Sequence, residues 1–160
     1  PARLPSPRLS QQVTELLSSA KREGRSYGGL VELWCDGVPA GMGQPVFHKL
    51  KADLAAALLS VGAVTSVELG DGSQVAEAEG SVFHREAQRP HRYGGIRGGI
   101  STGERLVLRA ALKPTATVLD QAKAGRHDPC IVPRAIPVLE AMVYLVLVDH
   151  LLWRRSDRID

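Results

Sequence analysis

The chain has 160 residues, 44% of them hydrophobic and 23% charged, enough apolar surface for one buried core and unlike a disordered tail. Its net charge of +3 comes from lysines and arginines scattered among acidic residues, and only 4% of residues are aromatic, which excludes a nucleic-acid stripe or stacking platform and leaves small anions as partners. Cys35 and Cys130 lie far apart with no CxxC or Cys/His ligand spacing, so they read as reduced thiols with no metal site and no disulfide.

In chain order, Val13, Leu16, Leu17 and Ala20 recur at i, i+3, i+4 and i+7. That spacing predicts an amphipathic helix lying on a sheet, with Ser10 as N-cap, Lys21 and Arg22 in the last turn and Gly24 as its stop. Leu30–Cys35 reads as a short strand with Val31, Leu33 and Cys35 on one face and Glu32 on the other, followed by glycine and proline punctuation over 37–45. Phe47, Leu50, Leu54, Ala57, Leu58 and Val61 form the apolar stripe of a second helix, with Lys49, Lys51 and Asp53 left wet. Val64–Leu69 is the returning strand.

Residues 80–93, with Arg85, Arg89, His91 and Arg92, read as a polar loop. Leu106–Leu112 is a strand presenting Val107, Arg109 and Ala111 on one face, and Ile136–Trp153 the last helix, with 154–160 as a frayed tail. The apolar run Ile136–Leu152 raises the question of a membrane, but Pro137, Glu140, Asp149 and His150 interrupt it, and it is shorter than the roughly 20 apolar residues a span requires. A buried helix is the expectation. No repeat of fixed period is visible, and the alternation of elements predicts a layered α/β or α+β fold in a single domain, 1–160. No signal-peptide pattern opens the chain, and Pro1 in first position suggests that it begins inside a longer product.

Three segments carry chemistry. Gly94-Gly95-Ile96-Arg97-Gly98-Gly99 places four glycines in six positions, which suits a loop whose backbone N–H groups approach an anion or a flat ring, and equally suits a tight turn between strands. Lys113-Pro114-Thr115-Ala116-Thr117 sets a cation, a rigid bend and two hydroxyls directly after a strand, either a strand end or a phosphate contact. Gly125-Arg126-His127-Asp128-Pro129-Cys130 puts a guanidinium beside a carboxylate, where the two can order each other, or form an ordinary surface ion pair. A lone loop histidine such as His127 is expected to be solvated.

These segments resemble chorismate synthase. Gly94 to Gly103 is similar to that family's GGIxGGISxG loop, Lys113 to Thr117 to its KPTxS/T turn, and Gly125 to Cys130 to its GRHDPC signature. Further matches, in order, are Gly28-Gly29, Gly43 to Leu50, Glu68 to Gly72, Glu140-Ala141-Met142 and Asp149 to Leu152. The family's N-terminal half, with its histidine-bearing HG segment and Arg-Ser-Gly-Arg-Glu run, has no counterpart here. The resemblance therefore implies the second half of a β-α-β sandwich.

It further implies 1,4-anti elimination of phosphate from 5-enolpyruvylshikimate 3-phosphate to give chorismate, in the cytoplasm or a plastid. Reduced flavin mononucleotide (FMN) would be the cofactor, with a link to NADP, and the assembly a homotetramer. Residue by residue, it assigns flavin contact to Gly62, Ala63, Gly98, Lys113, Pro114, Thr115, Ala116, Thr117 and Arg126, and an acid near flavin N5 to Asp128. None of His48, His84, His91 or His150 inherits the role of the family's proton-donating histidines, which belong to the missing half. Three departures stand out: Gly62 for the family's Asn or Pro, a connection over 118–125 much shorter than usual, and the more basic Ser81 to Glu86 in place of a polar GSxxND-type run. A flavin- or anion-binding module without catalysis, or an oligomerisation half built on the apolar last helix, are the alternatives.

Overall fold

The computed structural model describes residues 6–85, 92–123, 125 and 127–156. A three-stranded antiparallel sheet lies at its centre, in the order β1 (Gly29–Cys35), β5 (Leu106–Leu112), β2 (Val64–Leu69). The last strand in sequence thus sits in the middle, with Arg109 opposite Glu32 on one side and Glu68 on the other. Alternation decides the faces: Val31 and Leu33 of β1 and Leu106, Leu108, Ala110 and Leu112 of β5 all turn inward and are buried. In β2 the register shifts between Val64 and Ser66, and this extra residue turns Val64 inward with Val67 and Leu69.

Two helices cover that inner face. Helix α2 (Leu50–Leu59) sends in Leu50, Leu54 and Leu58, one per turn and all fully buried, each contributing about 1.5–3 kcal/mol of apolar burial. Helix α5 (Val132–Ser156) packs against α2 and β1 through Ala135, Leu139, Val143 and His150. It starts four residues earlier than the sequence suggests because Pro133 fits a first helical turn, and it continues past Trp153 through Arg154 and Arg155 to Ser156. The expected frayed tail is therefore helical up to Ser156, and 157–160 lie outside the described residues. Nor is α5 buried all round, since Val138, Tyr144, Leu145, Val148 and Leu152 are exposed.

The opposite face of the sheet is tied by side chains. Arg109 donates to Glu32 at 2.7 Å and to the Gly70 carbonyl at 2.6 Å, Trp34 donates to Glu32 at 2.8 Å, and Arg105 forks onto Asp36 while lying 4.6 Å above the Trp34 ring. Helix α1 (Pro7–Glu23) buries only Ala20, so it does not lie on the sheet along its length. Its N-cap is Ser6, not Ser10, and its stop is Gly24 at φ 67°. Phe47 is exposed ahead of α2 instead of forming part of its stripe. A 3₁₀ turn at Gly72–Glu77 precedes helix α3 (Gly80–Arg85), which takes up the first part of the expected polar loop; Arg89 and His91 lie outside the described residues.

Strands β3 (Ile96–Arg97) and β4 (Ile100–Ser101) form a hairpin whose two turn residues, Gly98 and Gly99, have φ of 61° and 98°. Both left-handed conformations are what a two-residue hairpin turn requires, so the doubled glycines serve as a tight turn. A short helix α4 (Asp120–Lys123) completes the chain's elements.

Candidate functional site

The family-matched residues fall at two ends of the sheet. At one end, where β5 leaves the sheet, the Lys113 N–H donates to the Ala63 carbonyl at 2.9 Å, which joins the Gly62-Ala63 turn to the Lys113–Thr117 turn. Thr115 Oγ1 then donates to the Asp128 carbonyl at 2.9 Å, Ser26 Oγ donates to the Thr115 carbonyl at 2.7 Å, and the Tyr27 N–H donates to the Pro129 carbonyl at 2.8 Å. Four separate stretches of chain therefore converge here. Lys113, Pro114 and Ala116 are exposed and Thr115 and Thr117 half-buried, so the ammonium is free to meet an anion while Thr115 has already spent its hydroxyl proton inside the protein. A Cβ added at Gly62 would meet nothing within 4 Å, which leaves its backbone open.

Asp128 is half-buried at the same end. One carboxylate oxygen pairs with Arg134 Nη1 at 2.8 Å from the first turn of α5, and the other accepts the Cys130 N–H at 3.4 Å. The sequence offered Arg126 as the partner, but Arg126 lies outside the described residues. Arg134 is a residue that sequence reasoning missed, although an arginine six positions after Asp128, at a helix start, was visible. His127 is not solvated: it is buried, with Nε2 3.0 Å from the Arg25 carbonyl oxygen and Nδ1 without a partner among the described residues.

Gly98 stands at the other end of β5, which at about 3.3 Å per residue is about 20 Å away from the Lys113 end. Its hairpin is held firmly. Leu50 N–H donates to the Gly99 carbonyl at 2.8 Å, a Cβ on Gly43 would lie 2.4 Å from that same oxygen, and buried Ser101 donates to the Pro39 carbonyl and accepts the Met42 N–H. A Cβ on Gly98, by contrast, would find open space. It faces a cleft of about 570 Å³ that Lys51, Phe83, Tyr93 and Arg97 help to line. Sequence reasoning did not connect these four residues, because two come from the exposed side of α2 and from α3, and no periodicity links them.

One further polar cluster ties α2 to α5. His150, 2% exposed, has Nε2 3.0 Å from Asp53 Oδ2, His48 Nδ1 lies 3.4 Å from the same oxygen, and Trp153 meets both rings edge-on. Asp53 is thus engaged with two imidazoles instead of simply wet. Among the described residues no group of three His, Cys, Asp or Glu side chains is arranged to hold a metal ion.

The family model for chorismate synthase matches residues 1–152. The chain belongs to the chorismate synthase family. Chorismate synthase of Bdellovibrio bacteriovorus is 59% identical over 158 residues, covering 99% of this chain and 46% of that protein. The enzymes so named from Synechococcus elongatus and Roseiflexus castenholzii are 44% and 42% identical, covering 96% and 99% of the chain and 49% and 50% of theirs. A crystal structure of chorismate synthase superposes with a TM-score of 0.79 at 31% identity, over 95% of this chain and 45% of the other. The expected α+β layered fold of chorismate synthase is therefore present, and the chain spans about half the length of the relatives it matches. The alignments with Synechococcus and Roseiflexus, over 176 and 180 residues, exceed the chain's own length and open gaps in it, whereas the Bdellovibrio alignment fits within it.

Proposed function

We propose that this chain is the cofactor-holding half of a chorismate synthase, a cytoplasmic lyase that works as a homotetramer on 5-enolpyruvylshikimate 3-phosphate. The reaction is 1,4-anti elimination: a C–H bond and the C–O bond to phosphate break, a second ring double bond forms, and inorganic phosphate leaves with no net redox change. Reduced FMN supplies electron density to the eliminating system when bound. The observation that carries this reading is the convergence of Ala63, Lys113, Thr115 and Asp128 through consecutive hydrogen bonds, which gathers at one end of the sheet residues that lie up to 65 positions apart in this sequence.

The residues present fit an anionic, planar cofactor. Lys113 carries an exposed ammonium on a bend that Pro114 keeps rigid, the backbone at Gly62 is unshielded, and Thr117 adds a hydroxyl. Asp128 is oriented by Arg134 and the Cys130 N–H, so its carboxylate is aimed and not swinging. In this reading Lys113, with Arg126, screens phosphate charge and the Asp128 carboxylate takes up and passes on a proton near the cofactor.

Titration of reduced FMN into the wild-type chain and a Lys113→Ala variant tests the assignment. Removal of the ammonium is expected to weaken binding by about 1.5–3 kcal/mol, the range for a hydrogen bond to a charged group. Equal affinity of the two proteins would remove Lys113 from the site. A second reading, an FMN- or anion-binding half that needs a partner for catalysis, is favoured by the exposed face of α5 and by the chain's span of about half its relatives' length. It predicts that the 160-residue chain with reduced FMN gives no chorismate by itself, and turnover by the pure chain would exclude it.

A further inference from the structure

We propose that His127 is a positioning residue for the Asp128 carboxylate, acting through a strut, Arg25-Ser26-Tyr27, that clamps the 127–130 segment against the 113–117 turn. The inference rests on the reading above, in which Asp128 moves a proton near the cofactor. Helix α1 stops at Gly24, whose left-handed backbone turns the chain out of the helix, and the Gly24 carbonyl accepts the Leu119 N–H at 2.8 Å. Each of the next three residues then makes one bond to the site. The Arg25 carbonyl oxygen lies 3.0 Å from His127 Nε2, Ser26 Oγ donates to the Thr115 carbonyl at 2.7 Å, and the Tyr27 N–H donates to the Pro129 carbonyl at 2.8 Å. Thr115 Oγ1 closes the circuit by donating to the Asp128 carbonyl at 2.9 Å.

Asp128 is thus anchored at three successive residues: its neighbours on both sides are tied to the strut, and its own carbonyl is tied to Thr115. The flanking anchors differ in kind. Pro129 accepts through a backbone carbonyl that any residue would offer, whereas His127 contributes its side chain. A carbonyl oxygen only accepts, so Nε2 carries the hydrogen of that bond. His127 is 8% exposed, and burying an imidazole costs desolvation that an apolar ring of similar size would not. What the histidine adds in return is the bond to Arg25. The ion pair of Asp128 with Arg134, whose side chain is 64% exposed, is weak on its own, so it aims the carboxylate only where the backbone beneath is already fixed. Loss of the His127 bond leaves the near side of Asp128 unanchored, and a displacement of about 1 Å at a reacting group can cost about 100-fold in rate.

Steady-state kinetics on a full-length enzyme carrying this chain test the inference. His127→Ala is expected to lower kcat about tenfold, while KM for 5-enolpyruvylshikimate 3-phosphate and the affinity for reduced FMN stay within about twofold of the parent. His127→Gln, whose amide nitrogen stands the same number of bonds from Cβ as Nε2, should restore most of the loss. Combined with Asp128→Asn, His127→Ala should lower kcat no further than Asp128→Asn does alone, because the histidine acts only through that carboxylate. A merely structural role would make the two losses multiply. Multiplied losses, or parental kcat in His127→Ala beside a slow Asp128→Asn, would overturn the inference and leave the proton reading standing. Parental turnover in Asp128→Asn would sink that reading and this inference with it. Should His127→Ala fail to fold, nitrogen NMR of the wild-type 160-residue chain decides: a hydrogen on His127 Nε2 is expected, and a bare Nε2 would exclude the bond to Arg25.

Discussion

Asp53 and His150 show how a polar pair can hold two core helices together at the scale of single residues. His150 Nε2 has Asp53 as its partner, and because a carboxylate oxygen only accepts, Nε2 carries the hydrogen of that bond. Asp53→Ala strips the remaining partner and is expected to cost about 1–3 kcal/mol in urea unfolding, whereas Asp53→Asn keeps an acceptor and should cost well under half of that. Equal losses in the two variants would refute the pairing. Cys35 offers a chemical test, because burial first, and then the charges of Asp36 and Glu140, push its thiol above the ordinary range. At pH 8 it should be alkylated more slowly than the same cysteine in the urea-unfolded chain, and the gap should narrow as pH rises and thiolate forms in both; faster reaction in the folded state would contradict the burial. For Asp128, the substitution to Asn in a full-length enzyme should lower turnover about 100-fold with binding kept if it moves a proton, and Arg134→Ala should reproduce part of that loss by letting the carboxylate swing. Weakened binding with near-normal saturated turnover in Asp128→Asn would take Asp128 off the catalytic list. Asp128 was legible as a candidate from the Gly125–Cys130 segment. Its partner Arg134 and the burial of His127 and His150 were not, because pattern places histidine and arginine on wet faces and only packing across the chain reverses that.

At the scale of elements, the hairpin glycines separate two physical causes. Gly43 has φ of 117° and no room, with a backbone oxygen 2.4 Å from its would-be Cβ, while Gly98 has φ of 61° and open space. Gly43→Ala should therefore cost well over 2 kcal/mol, as strain and clash together, and Gly98→Ala about 1–2 kcal/mol from the left-handed backbone alone. Thermal or urea unfolding of the two variants checks the order, and a Gly98 variant as unstable as the Gly43 one would place hidden contacts at the turn. The three strands of the central sheet were legible to within one residue because period-two burial in β1, β2 and β5 is visible as Val31, Leu33, Val67, Leu69, Leu108 and Ala110, whereas the two-residue strands β3 and β4 are too short to show a period. Helix starts were less so. The apolar period of α1 begins at Val13, which drew the N-cap to Ser10, yet the Ser6-Pro7 pair, cap followed by proline in the first turn, carries the real signal. Short pieces such as α3 have too few turns for any periodicity, and so were taken for loop.

For the whole molecule, α5 sets the behaviour in solution. It is long and apolar enough to cross a membrane by length and composition, yet one side is built into the core and the other, with Tyr144 and Leu145 about two-thirds exposed, remains uncovered. The chain by itself is expected to self-associate through this face, and replacing Leu145 and Leu152 by Lys should shift it toward monomer in size-exclusion chromatography with light scattering, without lowering its melting temperature. A monomeric parent would show that the face needs no cover. The resemblance made the fold and one end of the candidate site readable, since the turns at Lys113 and Asp128 carry distinctive residues; the cleft at Gly98 was not, because its walls come from α2, α3 and the strand ends at once. The strand order has a consequence for how the chain comes into being. Glu32 waits for Arg109, 77 residues later, and β1 and β2 are never neighbours, so neither has a hydrogen-bonding partner until β5 has been made. A nascent chain ending before Leu106 would carry two orphan strands and the leucines of α2 with no layer to cover, and should show no cooperative melt. Completion of the sheet is a late, long-range event, slow for its size and open to mispairing while it waits.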